Sequence, residues 1–78
     1  MKTNLERLQM ILLDRSQFDI SEIIPEAYLS GDLDLDSLDV VELTMDVERE
    51  FDIRISDTEM EEWSTVQDVL DSINKQTN

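Results

Sequence analysis

The stretch that decides the fold is residues 36–51, which read Asp-Ser-Leu-Asp-Val-Val-Glu-Leu-Thr-Met-Asp-Val-Glu-Arg-Glu-Phe. In a helix that advances about 100° per residue, its apolar side chains fall on two opposite faces. One face is wide enough to pack on a core and carries Val40, Leu43, Val47 and Phe51. The opposite face is flanked by acids and carries Leu38, Val41 and Met45. A small isolated domain gains nothing by exposing three apolar side chains, so the second face predicts a docking surface with Ser37 at its tip.

The composition limits the class of protein. The chain has 78 residues and contains neither cysteine nor histidine. At this length we expect one domain, over residues 1–78. Without these residue types the chain has no disulfides or thiol nucleophile, and it lacks the commonest general base and metal ligand. We therefore predict no catalytic residues, no metal site and no enzyme activity.

The net charge of −14 indicates which partners to expect. Such a surface repels phosphate, which argues against binding to nucleic acid or anionic membrane. Partners should instead carry basic patches. Residues 32–52 hold nine acids and one base, Arg49. This concentration favours a partner-binding face over acidity that serves only solubility, and the 40% hydrophobic content disfavours a disordered chain.

No apolar run is long enough to cross a membrane, and residues 1–10 lack the apolar centre of a signal peptide. A cytoplasmic protein is therefore expected.

Apolar periodicity and capping residues predict four helices. Thr3-Asn4-Leu5-Glu6 is a capping box that opens the first, at about 4–16, with an inner face of Leu5, Leu8, Ile11 and Leu12. The second spans about 37–51, with Asp36 or Ser37 as its cap. Ser56-Asp57-Thr58-Glu59 opens a short third helix at about 57–62. Ser64-Thr65-Val66-Gln67 opens the fourth at about 65–75, with an inner face of Val66, Val69, Leu70 and Ile73.

The long connection at 18–36 holds the only proline and the only glycine, Pro25 and Gly31. We expect it to be ordered, because five apolar side chains can lie over a core: Ile20, Ile23, Ile24, Ala27 and Leu29. The predicted fold is an all-α four-helix bundle, with three longer helices, a short third helix and a long loop between the first and second.

Two chemistries suggested by single motifs are not supported. Asp32, Asp34 and Asp36 match the start of an EF-hand calcium loop, but that loop needs glycine at position six and glutamate at position twelve. Ser37 and Leu43 occupy those positions here. Ser37 also has no His, Lys or Cys near it in sequence to activate it, and an isolated Asp-Ser pair is more often a helix cap.

Residues 32–51 together resemble the acyl carrier protein family. The family pattern is Asp-Leu-Gly-x-Asp-Ser-Leu, followed by an acidic helix that ends in Glu-x-x-Phe. Here Asp32-Leu33-Asp34-Leu35-Asp36-Ser37-Leu38 precedes a helix ending in Glu48-Arg49-Glu50-Phe51. Residues 55–59 and 64–69 resemble the openings of the last two helices. The resemblance covers residues 27–73 in register, and the first helix matches in pattern only.

The resemblance implies that Ser37 carries a covalent 4′-phosphopantetheine arm, whose terminal thiol holds acyl groups as thioesters. A phosphodiester at a helix N-terminus meets the positive end of the helix dipole. The implied partners are a phosphopantetheinyl transferase and acyl-transferring, condensing and acyl-modifying enzymes with basic patches. We predict a docking face with an acidic rim around an apolar centre: Asp36, Leu38, Asp39, Val41, Glu42, Met45 and Glu48. A monomer is expected.

Three positions depart from the family pattern. Asp34 replaces its glycine, so we expect a positive φ, which aspartate tolerates better than most residues but less well than glycine. Leu35 is expected to add apolar surface beside the arm. Trp63 is expected to be a core or rim aromatic and not to line an acyl cavity.

The predicted function is to shuttle acyl intermediates between enzymes of fatty acid biosynthesis. One alternative is a specialised discrete carrier for polyketide, aminoacyl or other acyl assembly. The other is an acidic helical interaction module without a prosthetic group, in which Ser37 is only a cap.

Overall fold

The computed structural model describes residues 1–15 and 17–77. Within these residues the chain forms four α-helices, α1 (Asn4–Arg15), α2 (Ser37–Phe51), α3 (Asp57–Glu61) and α4 (Val66–Thr77), and a 3-10 turn at Ile20–Glu22. Helix α1 packs on α2 and α4, and α3 packs on α2. The predicted all-α four-helix bundle is confirmed. The end predicted for the first helix, residue 16, lies outside the described residues.

The core lies between α1, α2 and α4 and holds the side chains that periodicity placed inward. Fully buried are Leu8, Leu12, Leu43, Val47, Val66, Val69 and Ile73, with Phe51 and Leu70 also buried. Leu5, Ile11 and Val40 are partly buried against this core. Since each buried side chain of this size contributes about 1.5–3 kcal/mol, core packing is what opposes the mutual repulsion of the surface acids.

The helix starts follow the predicted capping chemistry, with one correction. Thr3 and Glu6 form a complete capping box, and Ser56 Oγ accepts a hydrogen bond from the Glu59 N–H. The box predicted for the fourth helix, from Ser64 to Gln67, is wrong. Because α4 begins at Val66, its cap is Thr65 and the paired acid is Asp68. Gln67 instead donates its side-chain amide to Asp71.

Asp68 makes the start of α4 sensitive to pH. Its Oδ2 accepts hydrogen bonds from the N–H groups of Ser64 and Thr65, at 2.8 and 3.0 Å. These bonds hold the pKa of the Asp68 carboxyl below its ordinary value, against the opposing effect of burial. A carboxyl with a pKa lower in the folded chain than in the unfolded chain stabilises the fold above the unfolded pKa. This stability is lost as pH falls through the folded pKa.

We therefore expect Asp68→Asn to lower the free energy of unfolding by about 0.5–2 kcal/mol at neutral pH. The difference from the wild type should shrink as pH falls below about 4, the ordinary range of an aspartate pKa. Urea unfolding of both chains over a pH series measures this difference. A difference that stays constant with pH would contradict the assigned role of the charge.

The long α1–α2 loop is ordered as predicted. Five of its residues were expected in the core, and for two of them this prediction is wrong. Ile23, Ala27 and Leu29 are buried, whereas Ile20 and Ile24 are exposed. The 3-10 turn buries none of its residues, which leaves Ile20 outside. Ile23 has a non-helical backbone, and neighbouring side chains in such a segment point in different directions, so Ile24 faces outward when Ile23 faces inward.

Candidate functional site

Ser37 is the exposed first residue of α2. Of the two predicted caps, Asp36 is the one used. Its Oδ1 accepts a hydrogen bond from the Asp39 N–H at 2.9 Å, and Asp39 Oδ2 accepts one from the Asp36 N–H at 3.1 Å. Because this capping box satisfies the start of the helix, the Ser37 hydroxyl is not needed as a cap. It is available to a modifying enzyme.

The segment before Ser37 is anchored in the core. Leu33 and Leu35 are buried, and the Leu35 N–H donates to the Leu29 carbonyl at 2.9 Å. Asp34 between them has φ of 56°, which confirms the positive φ expected where the family has glycine. The expectation that Leu35 adds apolar surface beside the arm is wrong, since its side chain is only 4% exposed. The left-handed backbone at Asp34 directs the Leu35 side chain into the core. The packing of Leu35 there fixes the position of Ser37, two residues further on.

The two faces of α2 are phased as the sequence predicts. Leu43, Val47 and Phe51 are buried and Val40, the fourth residue of the predicted core face, is only partly buried, whereas Leu38 is 65% exposed, Val41 41% and Met45 56%. These last three side chains form an uncovered apolar stripe that begins directly after Ser37. An exposed apolar patch rimmed by polar residues is typical of a protein interaction site.

The four predicted rim acids all have intramolecular partners. Asp36 and Asp39 cap α2, while Glu42 Oε1 lies 2.8 Å from Arg15 Nη1. Glu48 Oε2 accepts a hydrogen bond from the Ile55 N–H at 2.8 Å. Each carboxylate therefore has a second role in the fold, and its orientation is set before any partner arrives.

Arg15 is the residue near this face that sequence reasoning missed. From the last turn of α1, its guanidinium bonds Glu42 and, at 2.7 Å, Asp46 Oδ2. Burial acts to lower the pKa of Arg15, but the hydrogen bonds to Asp46 and Glu42 outweigh it and raise that pKa. A sequence signal existed, since Arg15 is the only base between Arg7 and Arg49. Arg15 ties α1 to α2 and partly neutralises the middle of the acidic face.

Trp63 is half-buried against the core, as expected for a rim aromatic, and its Nε1–H donates to Ser72 Oγ at 2.9 Å.

Within residues 1–15 and 17–77, no group of three or more acids is placed to hold a metal ion. No helix in the described part of the chain is long and apolar enough to cross a membrane.

Comparison with known proteins agrees with this geometry. A family profile described as "Phosphopantetheine attachment site" matches residues 6–73. The acyl carrier protein of Thermosynechococcus vestitus (strain NIES-2133 / IAM M-273 / BP-1) is 49% identical over 70 residues, covering 90% of this chain and 86% of that protein. The chain belongs to the acyl carrier protein family. As an acyl carrier protein it is a carrier and not an enzyme, and its prosthetic group is phosphopantetheine.

The start of α2 suits that prosthetic group. Attachment through a phosphodiester needs an accessible hydroxyl. Ser37 is exposed, and its side chain is not used to cap the helix. The phosphodiester anion would lie at the N-terminal end of a 15-residue helix, where the helix dipole favours negative charge. Leu33 and Leu35 hold the backbone before the serine in place.

Proposed function

We propose that Ser37 is the attachment residue, and that the carrier shuttles acyl thioesters between enzymes of fatty acid biosynthesis. The observation that carries this proposal is the exposed serine on the first turn of α2, directly before an uncovered apolar stripe. When attached, the arm supplies a terminal thiol that holds the acyl group. The protein supplies the hydroxyl, the electrostatics of the helix end and the face that partners bind.

We also propose that residues 1–78 form one carrier domain, which acts as a cytoplasmic monomer. Its partners are a phosphopantetheinyl transferase and acyl-transferring, condensing and acyl-modifying enzymes. Basic patches on these enzymes complement the charge of −14. A specialised discrete carrier for polyketide or aminoacyl assembly has the same attachment chemistry, and differs in the group on the thiol.

Mass spectrometry of the protein purified from its own host tests both parts of the proposal. The expected result is a phosphopantetheine adduct on the peptide that contains Ser37, together with species bearing saturated or 3-oxygenated fatty acyl chains. Aminoacyl or branched polyketide groups on the arm would favour the specialised carrier. A chain that is unmodified throughout, or modified at another residue, would contradict the assignment of Ser37.

We expect the rim and the centre of the docking face to affect different rate constants. Glu42→Lys should slow association with the transferase about 3- to 10-fold and reduce its salt dependence, because rim charges steer the encounter. Met45→Ala should mainly speed dissociation, since it removes apolar contact worth about 1 kcal/mol from the centre of the interface. Stopped-flow kinetics at several salt concentrations separates the two effects.

Asp71→Lys is the matched control, since it makes the same change of net charge at an exposed residue of α4, away from the acidic face of α2. Because Glu42 also pairs with Arg15, Glu42→Gln is measured beside the lysine variant, and circular dichroism checks the fold of each. An equal loss of association rate in Asp71→Lys would show that net charge alone steers the partner. The acidic face of α2 would then have no specific role.

A further inference from the structure

A second apolar surface lies in the α1–α2 loop, on residues that take no part in the attachment site. An open cleft of about 370 Å³ is lined by Phe18, Glu22, Ile24, Glu26, Ala27 and Asp32, and its walls are mainly apolar. We refer to it as the loop cleft. Ile24, on its wall, is 45% exposed, although its neighbour Ile23 is fully buried.

The loop cleft is rigidly supported. The Val66 N–H donates to the Ala27 carbonyl at 3.0 Å, and the Gln67 N–H donates to the Pro25 carbonyl at 2.9 Å, which ties the loop to the start of α4. On the other side, the Gln9 side chain donates to the Ile23 carbonyl at 2.8 Å and ties the loop to α1. Since the backbone is held from both sides, a ligand would meet a preformed surface and would not have to order a loop.

The charge around the loop cleft identifies the chemistry of its partner. Glu22, Glu26 and Asp32 border the apolar wall. Glu22 accepts the Asp19 N–H through Oε2, and Asp32 accepts the Tyr28 N–H through Oδ2, which leaves the other oxygen of each carboxylate available. The sequence has no lysine or arginine from residue 16 to residue 48. A cation brought to this cleft therefore meets no like charge from the loop itself.

We propose that the loop cleft is a second docking surface, which binds a basic amphipathic segment of a partner protein. The aliphatic stem of a partner arginine or lysine packs along Ile24, and its charged end reaches Glu22 and Glu26. Long basic side chains commonly combine these two kinds of contact. The surface uses neither Ser37 nor the apolar stripe of α2, so its binding does not depend on the attached arm.

The loop offers a matched pair of variants as a test. Ile20 and Ile24 are the same residue type, are exposed to 44% and 45%, and lie in the same loop, but only Ile24 lines the cleft. The probe is a synthetic helical peptide with arginines on one face and leucines on the other. The control peptide has glutamates in place of the arginines. Binding to the isotopically labelled chain is followed by amide chemical shifts and titration calorimetry.

The expected result is shift changes centred on residues 18–32 with the arginine peptide and none with the glutamate peptide. Ile24→Ala should weaken binding about 3- to 10-fold, by loss of apolar contact, and Ile20→Ala should leave it unchanged. Glu26→Gln should weaken binding and reduce its salt dependence. Ser37→Ala should bind as the wild type does, so this result is independent of the proposed attachment.

Two results would overturn the proposal. One is shift changes centred on α2, with binding that is lost in Met45→Ala and unchanged in Ile24→Ala. The other is an equal effect of Ile20→Ala and Ile24→Ala, which would show that the peptide adheres to the acidic chain without using the cleft.

Discussion

Ser37→Ala is expected to abolish attachment of phosphopantetheine while the helical bundle stays folded. In the proposed attachment the Ser37 hydroxyl oxygen joins the phosphodiester, and alanine offers no substitute for it. The fold should hardly change, because Asp36 and not Ser37 caps α2. This is a sharper expectation than the sequence allowed, since a capping serine would have cost about 0.5–2 kcal/mol when replaced by alanine.

Incubation with a phosphopantetheinyl transferase and its coenzyme A substrate, followed by intact-protein mass spectrometry, measures the extent of loading. Ser30→Ala is the control, because Ser30 is also exposed and lies only seven positions before Ser37. It should load like the wild type. Thermal unfolding of the apo proteins should give nearly equal melting temperatures for all three. Loading of Ser37→Ala to the wild-type level would refute the assignment.

Phe51→Ala is expected to produce the largest loss of stability, about 3–5 kcal/mol. The Phe51 ring is 8% exposed at the end of α2, and the Arg7 guanidinium lies 4.2 Å from its centre. Arg7 is held there by Glu50, through its carboxylate at 2.9 Å and its carbonyl at 2.7 Å. Truncation therefore leaves a cavity between α1 and α2 and removes a cation–π contact worth about 0.5–1 kcal/mol.

Leu38→Ala is the matched control in the same helix, because Leu38 is 65% exposed and its loss should cost less than about 0.5 kcal/mol. Urea unfolding followed by circular dichroism gives both values. Since the free energy of unfolding of a domain is only about 5–15 kcal/mol, a loss of this size can unfold the Phe51→Ala chain even without urea. Phe51→Leu keeps most of the apolar volume and should give a measurable intermediate loss. Equal losses in Phe51→Ala and Leu38→Ala would show that α2 is phased wrongly.

Local signals explain why most of the fold was predictable. The spacing of Leu43, Val47 and Phe51 reflects the helical repeat, which depends only on neighbours along the chain. The start of α1 was predicted correctly because its capping box is a contact within four residues. The same reasoning missed the cap of α4, since Ser64 and Thr65 are both good caps. Which of them is used depends on where the loop attaches to α4.

The loop shows where local reasoning fails. Ile20, Ile23 and Ile24 are equivalent by residue type, yet only Ile23 is buried. Their burial depends on a 3-10 turn and on hydrogen bonds to α1 and α4, which have no periodic pattern in the sequence. Leu35 was misplaced for a related reason. The positive φ at Asp34 was expected, but the direction in which it turns the following side chain depends on the core that this side chain enters.

The sequence by itself determined the four helices, the two faces of α2 and the position of Ser37 at the start of that helix. All three follow from spacing and capping over a few neighbouring residues. Only the tertiary structure decided how the acids are used. Glu42 pairs with Arg15, 27 positions away in sequence, and Glu48 binds the Ile55 N–H beyond the end of α2. Such pairs form only when packing brings separate segments within hydrogen-bond distance. The pattern of charges along one helix does not predict which other segment will pack against it.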